Sequence, residues 1–208
     1  MSTPVGHSLA ALITGTVINK QNVSFPTCRV LVFYFFSSIA ADFDFLVGWY
    51  FGNINRYHHQ FSHSIAMAVV YGGSVYVTIW LYEKWRASSG VSSKHSLSDV
   101  HHLSLKYAIL GAAIYLSHLL LDLFTADKSP PLGMLLFWPF SNIYVLAPFT
   151  VFPSVQHHSG GSDMVEFLTG ILVVHNFFSL LIETAILLPI YGLSRYFKSS
   201  CRRLYLRG

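Results

Sequence analysis

The stretch Tyr107-Ala-Ile-Leu-Gly-Ala-Ala-Ile-Tyr-Leu-Ser-His-Leu-Leu-Leu-Asp-Leu-Phe124 is apolar enough to lie in lipid, yet it carries His118 and Asp122. Four residues apart, the two share one face of a helix, at a spacing that suits a pair of metal ligands. A carboxylate near the middle of a bilayer-spanning helix costs roughly 2.5–3.5 kcal/mol on insertion scales. Other groups must offset that cost, and the chain on either side supplies candidates.

The 208 residues are 53% hydrophobic and 11% charged, with a mean hydropathy of +0.50. Soluble domains are about 25% charged, so the composition points to an integral membrane protein, here a single domain over residues 1–208. Five apolar segments stand out, about 5–19, 30–51, 64–82, 104–125 and 167–193. All but the first reach the ~20 residues a spanning helix needs. They predict an all-α bundle of about five transmembrane helices. The N-terminus lacks a basic region and a small-residue cleavage site, so Leu9 to Ile18 reads as a retained helix. Residues 87–103 read as a polar cytoplasmic loop, with His95, His101 and His102 in it or at its edge. Residues 127–166 carry Pro130, Pro131, Pro139, Pro148 and Pro153, which forbid a continuous helix. The same stretch is rich in Phe and Leu and holds Trp138 and Tyr144, which predicts an extracytoplasmic re-entrant or interfacial cap between helices four and five.

With the N-terminus outside and the C-terminus in the cytoplasm, every Lys and Arg except Arg56 and Lys128 falls on the cytoplasmic side. Membrane flanking therefore accounts for the pI of about 9.1, and no nucleic-acid module is visible. Cys28 and Cys201 lie beside basic residues on that same side, where thiols stay reduced, so neither a disulfide nor a cysteine metal site is expected. At a ~1.5 Å rise per residue, Asp42 and His7 each lie about 20 Å from their basic anchors, Arg29 and Lys20. His118 and Asp122 lie about 18 and 24 Å above Lys106, and Glu183 about 18 Å above Arg195. His63 opens the third helix about 31 Å above Lys84, at the outer face. Five helices thus bring acids or histidines to the outer half of one membrane layer.

His58, His59 and His63 add a second cluster in Arg56-Tyr-His-His-Gln-Phe-Ser-His-Ser64, where Ser62 or Ser64 can cap the next helix. Imidazole with carboxylate suits zinc, manganese or iron. The candidate ligands His7, Asp42, Asp44, His58, His63, His118 and Asp122 exceed what one zinc ion takes, which leaves room for two ions. Four buried carboxylates cost about 10 kcal/mol, and one structural zinc can return roughly 10 kcal/mol or more. Asp42 and Asp44 point to opposite sides of an ideal helix, so either the helix unwinds there or one of them supports a histidine from behind. Asp44, His59 and Glu183 are the candidates for a supporting, substrate-contacting or proton-transferring role. His157, His158 and His175 read as loop or packing residues.

The ordered set His7, Asp42-Phe-Asp44, His58-His-Gln-Phe-Ser-His63-Ser64, His118-Leu-Leu-Leu-Asp122 and Gly133-Met-Leu-Leu-Phe-Trp-Pro-Phe-Ser141 resembles the YdjM-like family. That family is described as inner-membrane-associated metal-dependent hydrolases and is sometimes labelled LexA-binding. The family pattern has an early His, an Asp-x-Asp, a His-Arg-Gly-x-Thr-His-Ser block, a His-x-x-x-Asp and a Gly-x-x-Leu-x-Trp-Pro segment. Here His59-Gln60 stands in place of Arg-Gly, Ser62 in place of Thr, Ala41 in place of a frequent Pro, and Asn142 where an acid is common. The resemblance implies a metal hydrolase of the bacterial inner membrane. The His-x-x-x-Asp motif is also similar to part of the zinc set of phospholipase C and P1-type nucleases, which favours phosphoesters.

The expected activity is therefore metal-activated hydrolysis of a phosphoester or lipid-borne substrate, with membrane lipid as partner and no nucleic acid. The alternatives are a metal or proton pathway using the intramembrane Asp and His, and a non-catalytic regulator with a structural metal. Against a transporter, the chain shows no internal repeat and no matched pair of broken helices.

Overall fold

The computed structural model describes residues 1–19, 26–52, 57–89, 96–126, 132–156 and 173–205, with side chains as far as Cys201. Among them are six α-helices: α1 Pro4–Ile18, α2 Cys28–Ser38, α3 Asp44–Tyr50, α4 Ile65–Ser88, α5 Leu97–Leu123 and α6 Val174–Tyr205. Three of these, α4, α5 and α6, are long and apolar enough to cross a membrane singly. The pair α2–α3, bent by 58° at its break, makes a fourth span if taken as one. At 15 residues, or about 22 Å, α1 is the shorter apolar helix of the set. The protein is thus an all-α membrane protein.

Local sequence explains the boundaries. Pro4 opens α1 behind Thr3, whose hydroxyl accepts the Gly6 N–H at 3.0 Å. Ser64 caps α4 by accepting from Met67 N at 3.2 Å. Ser96 and Asp99 close a reciprocal capping box at the start of α5. That box starts α5 at Leu97, and α4 runs to Ser88, so helix takes over both ends of the stretch expected to be loop. His101 consequently sits on α5, where its Nδ1 meets the Tyr76 hydroxyl of α4 at 2.7 Å. The helix unwinds at Asp42-Phe-Asp44, as one of the two sequence alternatives required, into a single 3₁₀ turn over Ala41–Phe43.

The centre of the bundle is α5, which packs against α1, α2 and α4, while α1 also packs against α6. Gly72 lets α4 approach α5 closely, because a Cβ there would stand 3.0 Å from the Ala108 carbonyl oxygen and from Ala112 Cβ. Ala11, Tyr34, Leu110 and Ile114 fill the join of α1, α2 and α5. Outward-facing side chains are apolar, with Val69 68% and Val77 49% exposed on α4, as lipid-facing surfaces require.

The Pro-rich stretch is non-helical in its described part, 132–156, and lies on the bundle. Met134 and Val145 exchange backbone hydrogen bonds at 3.1 and 2.9 Å, and Ala126 N donates to Phe152 O at 2.9 Å. Leu135 N donates to the His59 carbonyl and Ile65 N to the Leu136 carbonyl. The segment is therefore latched to the turn that precedes α4. Lys20, Arg56, Lys94, His95, Lys128, Pro130, Pro131, His157 and His158 lie outside the described residues, as do 127–131 and 157–166 of the cap.

Candidate metal centre

Four elements converge on one point. The 3₁₀ turn after α2 presents Asp42, the 3₁₀ turn over Phe61–His63 presents His63, and α5 presents His118 and Asp122 from consecutive turns. One donor atom from each of these four side chains lies within 4.8 Å of all the others. From α1, His7 stacks its ring on His118 at 3.9 Å between centroids. His7, His63, His118 and Asp122 are buried.

The separations are informative. His118 Nε2 is 3.2 Å from His63 Nε2, 3.3 Å from Asp122 Oδ2 and 3.6 Å from Asp42 Oδ1. His63 Nε2 is 3.5 Å from Asp122 Oδ2 and 3.7 Å from Asp42 Oδ1. A tetrahedron of ligands with ~2.0–2.1 Å bonds has edges of about 3.3–3.4 Å, close to all five distances.

The protons point the same way. His118 Nδ1 lies 2.6 Å from the Ser38 carbonyl, which can only accept, so Nδ1 carries a proton and Nε2 faces inward. His63 Nδ1 faces Asp44 Oδ2 at 3.3 Å, while Ser62 donates to that same oxygen at 2.6 Å. The two Nε2 atoms approach to 3.2 Å, close enough to share one proton or to bind one cation between them. Asp42 Oδ1, Asp122 Oδ2 and both ring nitrogens of His7 are buried without a hydrogen-bond partner. Orphaned buried atoms of this kind are costly, and a metal ion would satisfy the two carboxylate oxygens. The donor set therefore fits a divalent ion.

Asp44 lies outside the group of four, beside His63. It holds His58 Nδ1 at 3.1 Å as well as His63, and Tyr115 donates to the Ser62 carbonyl at 2.5 Å to fix the same turn. His58, His59 and His63 form a second group with ligand geometry. His58 Nε2 is buried without a partner. Burial, reinforced by the adjacent His59, pushes the His58 imidazole down to about 3. His63 goes the other way: burial opposes its charge, but hydrogen bonds it donates to the Asp122, Asp42 and Asp44 carboxylates raise it well above the usual imidazole value. His59 adopts a left-handed backbone (φ 61°) and turns Nε2 to within 3.8 Å of Asp122 Oδ2. Beside Asp122 and His59 is a small cavity of about 10 Å³, also lined by Thr125, Gly133 and Met134, room for about one water.

Glu183 is fully buried but belongs elsewhere. It accepts from Thr3 N at 3.0 and 3.1 Å and from the Thr3 hydroxyl. Gly6 lets α1 approach it closely, since a Cβ at that position would displace the carboxylate. Ser2 N in turn donates to Asp122 Oδ1 at 2.7 Å, so the N-terminal residues are held between two acids. Asn176, on the same face as Glu183, pairs with the Gln156 backbone at 2.6 Å in both directions, and His175 bonds the Ser154 carbonyl at 2.9 Å. The sequence alone did not single out the Ser38 carbonyl, Ser62 as partner of Asp44, Tyr115, Ser2 or Thr3. Of these only Tyr115 left a signal, lying on the His118 and Asp122 face of α5.

Fold and site together define a class, an α-helical membrane protein whose helix ends and cap enclose a His/Asp cluster able to hold a metal ion. The profile of the YdjM inner membrane protein family matches residues 1–199, and the chain belongs to that family. No curated protein and no solved structure shows a match.

Proposed function

We propose that the protein is a metal-dependent hydrolase acting on a phosphoester, on a substrate reached from the membrane. The observation that carries this reading is that one donor atom each from His63, His118, Asp42 and Asp122 lies within 4.8 Å of the others, five of the six separations being 3.2–3.7 Å, with two of their carboxylate oxygens otherwise unpartnered. Those four side chains would hold zinc, or manganese or iron, with His7 beside them. His58, whose buried Nε2 has no partner, supplies a donor toward a second ion.

A divalent ion held there supplies Lewis acidity, polarising a phosphoryl oxygen and lowering the pKa of water. The protein's own residues do the rest. Asp44 and the Ser38 carbonyl hold the rings of His63 and His118 with Nε2 inward, and the stacked His7 closes the floor. His59, next to the one-water cavity, is placed to take a proton from the attacking water. The basic residues Arg29, Lys84, Arg86, Lys106, Arg195 and Lys198 lie along the helices away from the cluster, which supports a site facing the extracytoplasmic side.

The test is hydrolysis by detergent-purified protein. With Zn²⁺ or Mn²⁺ it should cleave a phosphodiester or phospholipid substrate, and His118→Ala and Asp122→Asn should be inactive. Equal activity in those variants would sink the assignment.

A further inference from the structure

Against α4 and α5, at the end of the bundle that carries the cluster, lies an apolar groove of about 430 Å³. That volume is within the ~300–1,000 Å³ of small-molecule sites. Ile65, Ala113, Leu116, Leu120, Leu123 and Leu136 line it. Along α5 it runs from Ala113 to Leu123, about 15 Å, half the ~30 Å hydrocarbon core and therefore the depth of one leaflet.

We propose that this groove seats an acyl chain of a membrane phospholipid whose phosphate-bearing head group is the substrate; this deepens, and rests on, the hydrolase reading. Three observations point to that occupant. The groove offers a guest no free side-chain donor, because its one hydroxyl, Ser117, gives its proton to the Ile114 carbonyl at 2.7 Å. It opens outward between Leu116 and Leu120, which are 40% and 57% exposed on a candidate spanning helix. Its wall at Leu123 is shared with the one-water cavity that holds Asp122 and His59. A chain lying along α5 therefore ends beside the cluster, and a phosphate attached to it would meet the His/Asp donors without leaving the leaflet. Leu119 floors the groove and packs with Ala41, Ala68, Tyr115 and Met134, the same core that braces the His63 turn. The groove is thus rigid rather than a gap between loosely packed helices.

The experiment uses the full chain, metal-loaded, in nanodiscs containing phosphatidylglycerol with a photoreactive diazirine in its acyl chain. Cross-linked residues are mapped by mass spectrometry, and bound metal is measured on the same samples. Labelling of Ala113–Leu123 and Leu136 should exceed labelling of Val70 and Val77, which are exposed on α4 on a different face from the groove residue Ile65, by several-fold. Ala113→Phe, and separately Leu120→Trp, should remove that excess while metal content is unchanged. Equal labelling of groove and α4 surface, or an excess that survives both substitutions, would overturn the proposal. Hydrolysis is read in parallel on a long-chain phospholipid and on bis-p-nitrophenyl phosphate, which has no acyl chain. The two groove variants should lose the first activity and keep the second. A protein with the labelling excess and neither activity refutes the hydrolase while keeping the groove as a lipid site; one with both activities but no excess refutes the groove alone.

Discussion

Asp122 and Glu183 are both buried carboxylates on long apolar helices, and both reach the first three residues of the chain, yet they are opposite kinds of group. Glu183 is satisfied, with the Thr3 backbone N–H and hydroxyl bonded to its oxygens. Asp122 gives one oxygen to Ser2 N and turns the other, unpartnered, toward His63 and His118. Burial alone therefore does not distinguish a ligand from a brace. The distinction lies in whether an acid's lone pairs are already taken.

The sharpest way to break that comparison is to neutralise each acid in turn. Asp122→Asn should abolish metal binding, and with it most of the ~10 kcal/mol or more that such an ion can return to folding. Elemental analysis should then find background metal, and the melting temperature should no longer respond to chelator. Glu183→Gln should keep full metal occupancy and lose about 1.5–3 kcal/mol, the worth of hydrogen bonds to a charged group, seen as a lower melting temperature. If Glu183→Gln also empties the site, the two acids are not different in kind. Asp44→Asn leaves the four proposed ligands in place and removes the carboxylate behind His63 and His58, so metal affinity should fall about 10–100-fold in a competition titration. The smallest effect is expected for Ser62→Ala, which removes one hydrogen bond to Asp44 and should cost about 1–2 kcal/mol of stability, with metal retained.

Sequence reasoning went far because intramembrane acids and histidines are rare enough to be conspicuous. The ligand candidates read from the sequence are His7, Asp42, Asp44, His58, His63, His118 and Asp122; in the structure Asp42, His63, His118 and Asp122 form one group and His58, His59 and His63 another, with His7 stacked on His118 and Asp44 beside His63 and His58. It could not assign the donors among them, since that depends on which lone pairs the fold has already used. Asp42 and Asp44 are equivalent in sequence, and the 3₁₀ turn sends one toward His118 and the other toward Ser62. Glu183 matches the cluster's depth but faces α1, a difference of azimuth that counting residues along a helix cannot supply. The early start of α5 was within reach, because Ser96-x-x-Asp99 is a capping signal, but the polar loop around it masked the pattern.

The bend between α2 and α3 has a further consequence. A helix that stops leaves its last carbonyls without intrahelical donors, and here the Ser38 carbonyl accepts the His118 ring N–H. The group that sets this tautomer is main chain, present whichever residue occupies position 38. Substitutions there can change packing, but none deletes the acceptor. The orientation of His118 is thus buffered against point mutation, and the vulnerable quantity is the 58° angle itself: a residue change that let α2 run straight through Ile39 and Ala40 would reclaim the carbonyl and release the ring without altering any side chain in the cluster.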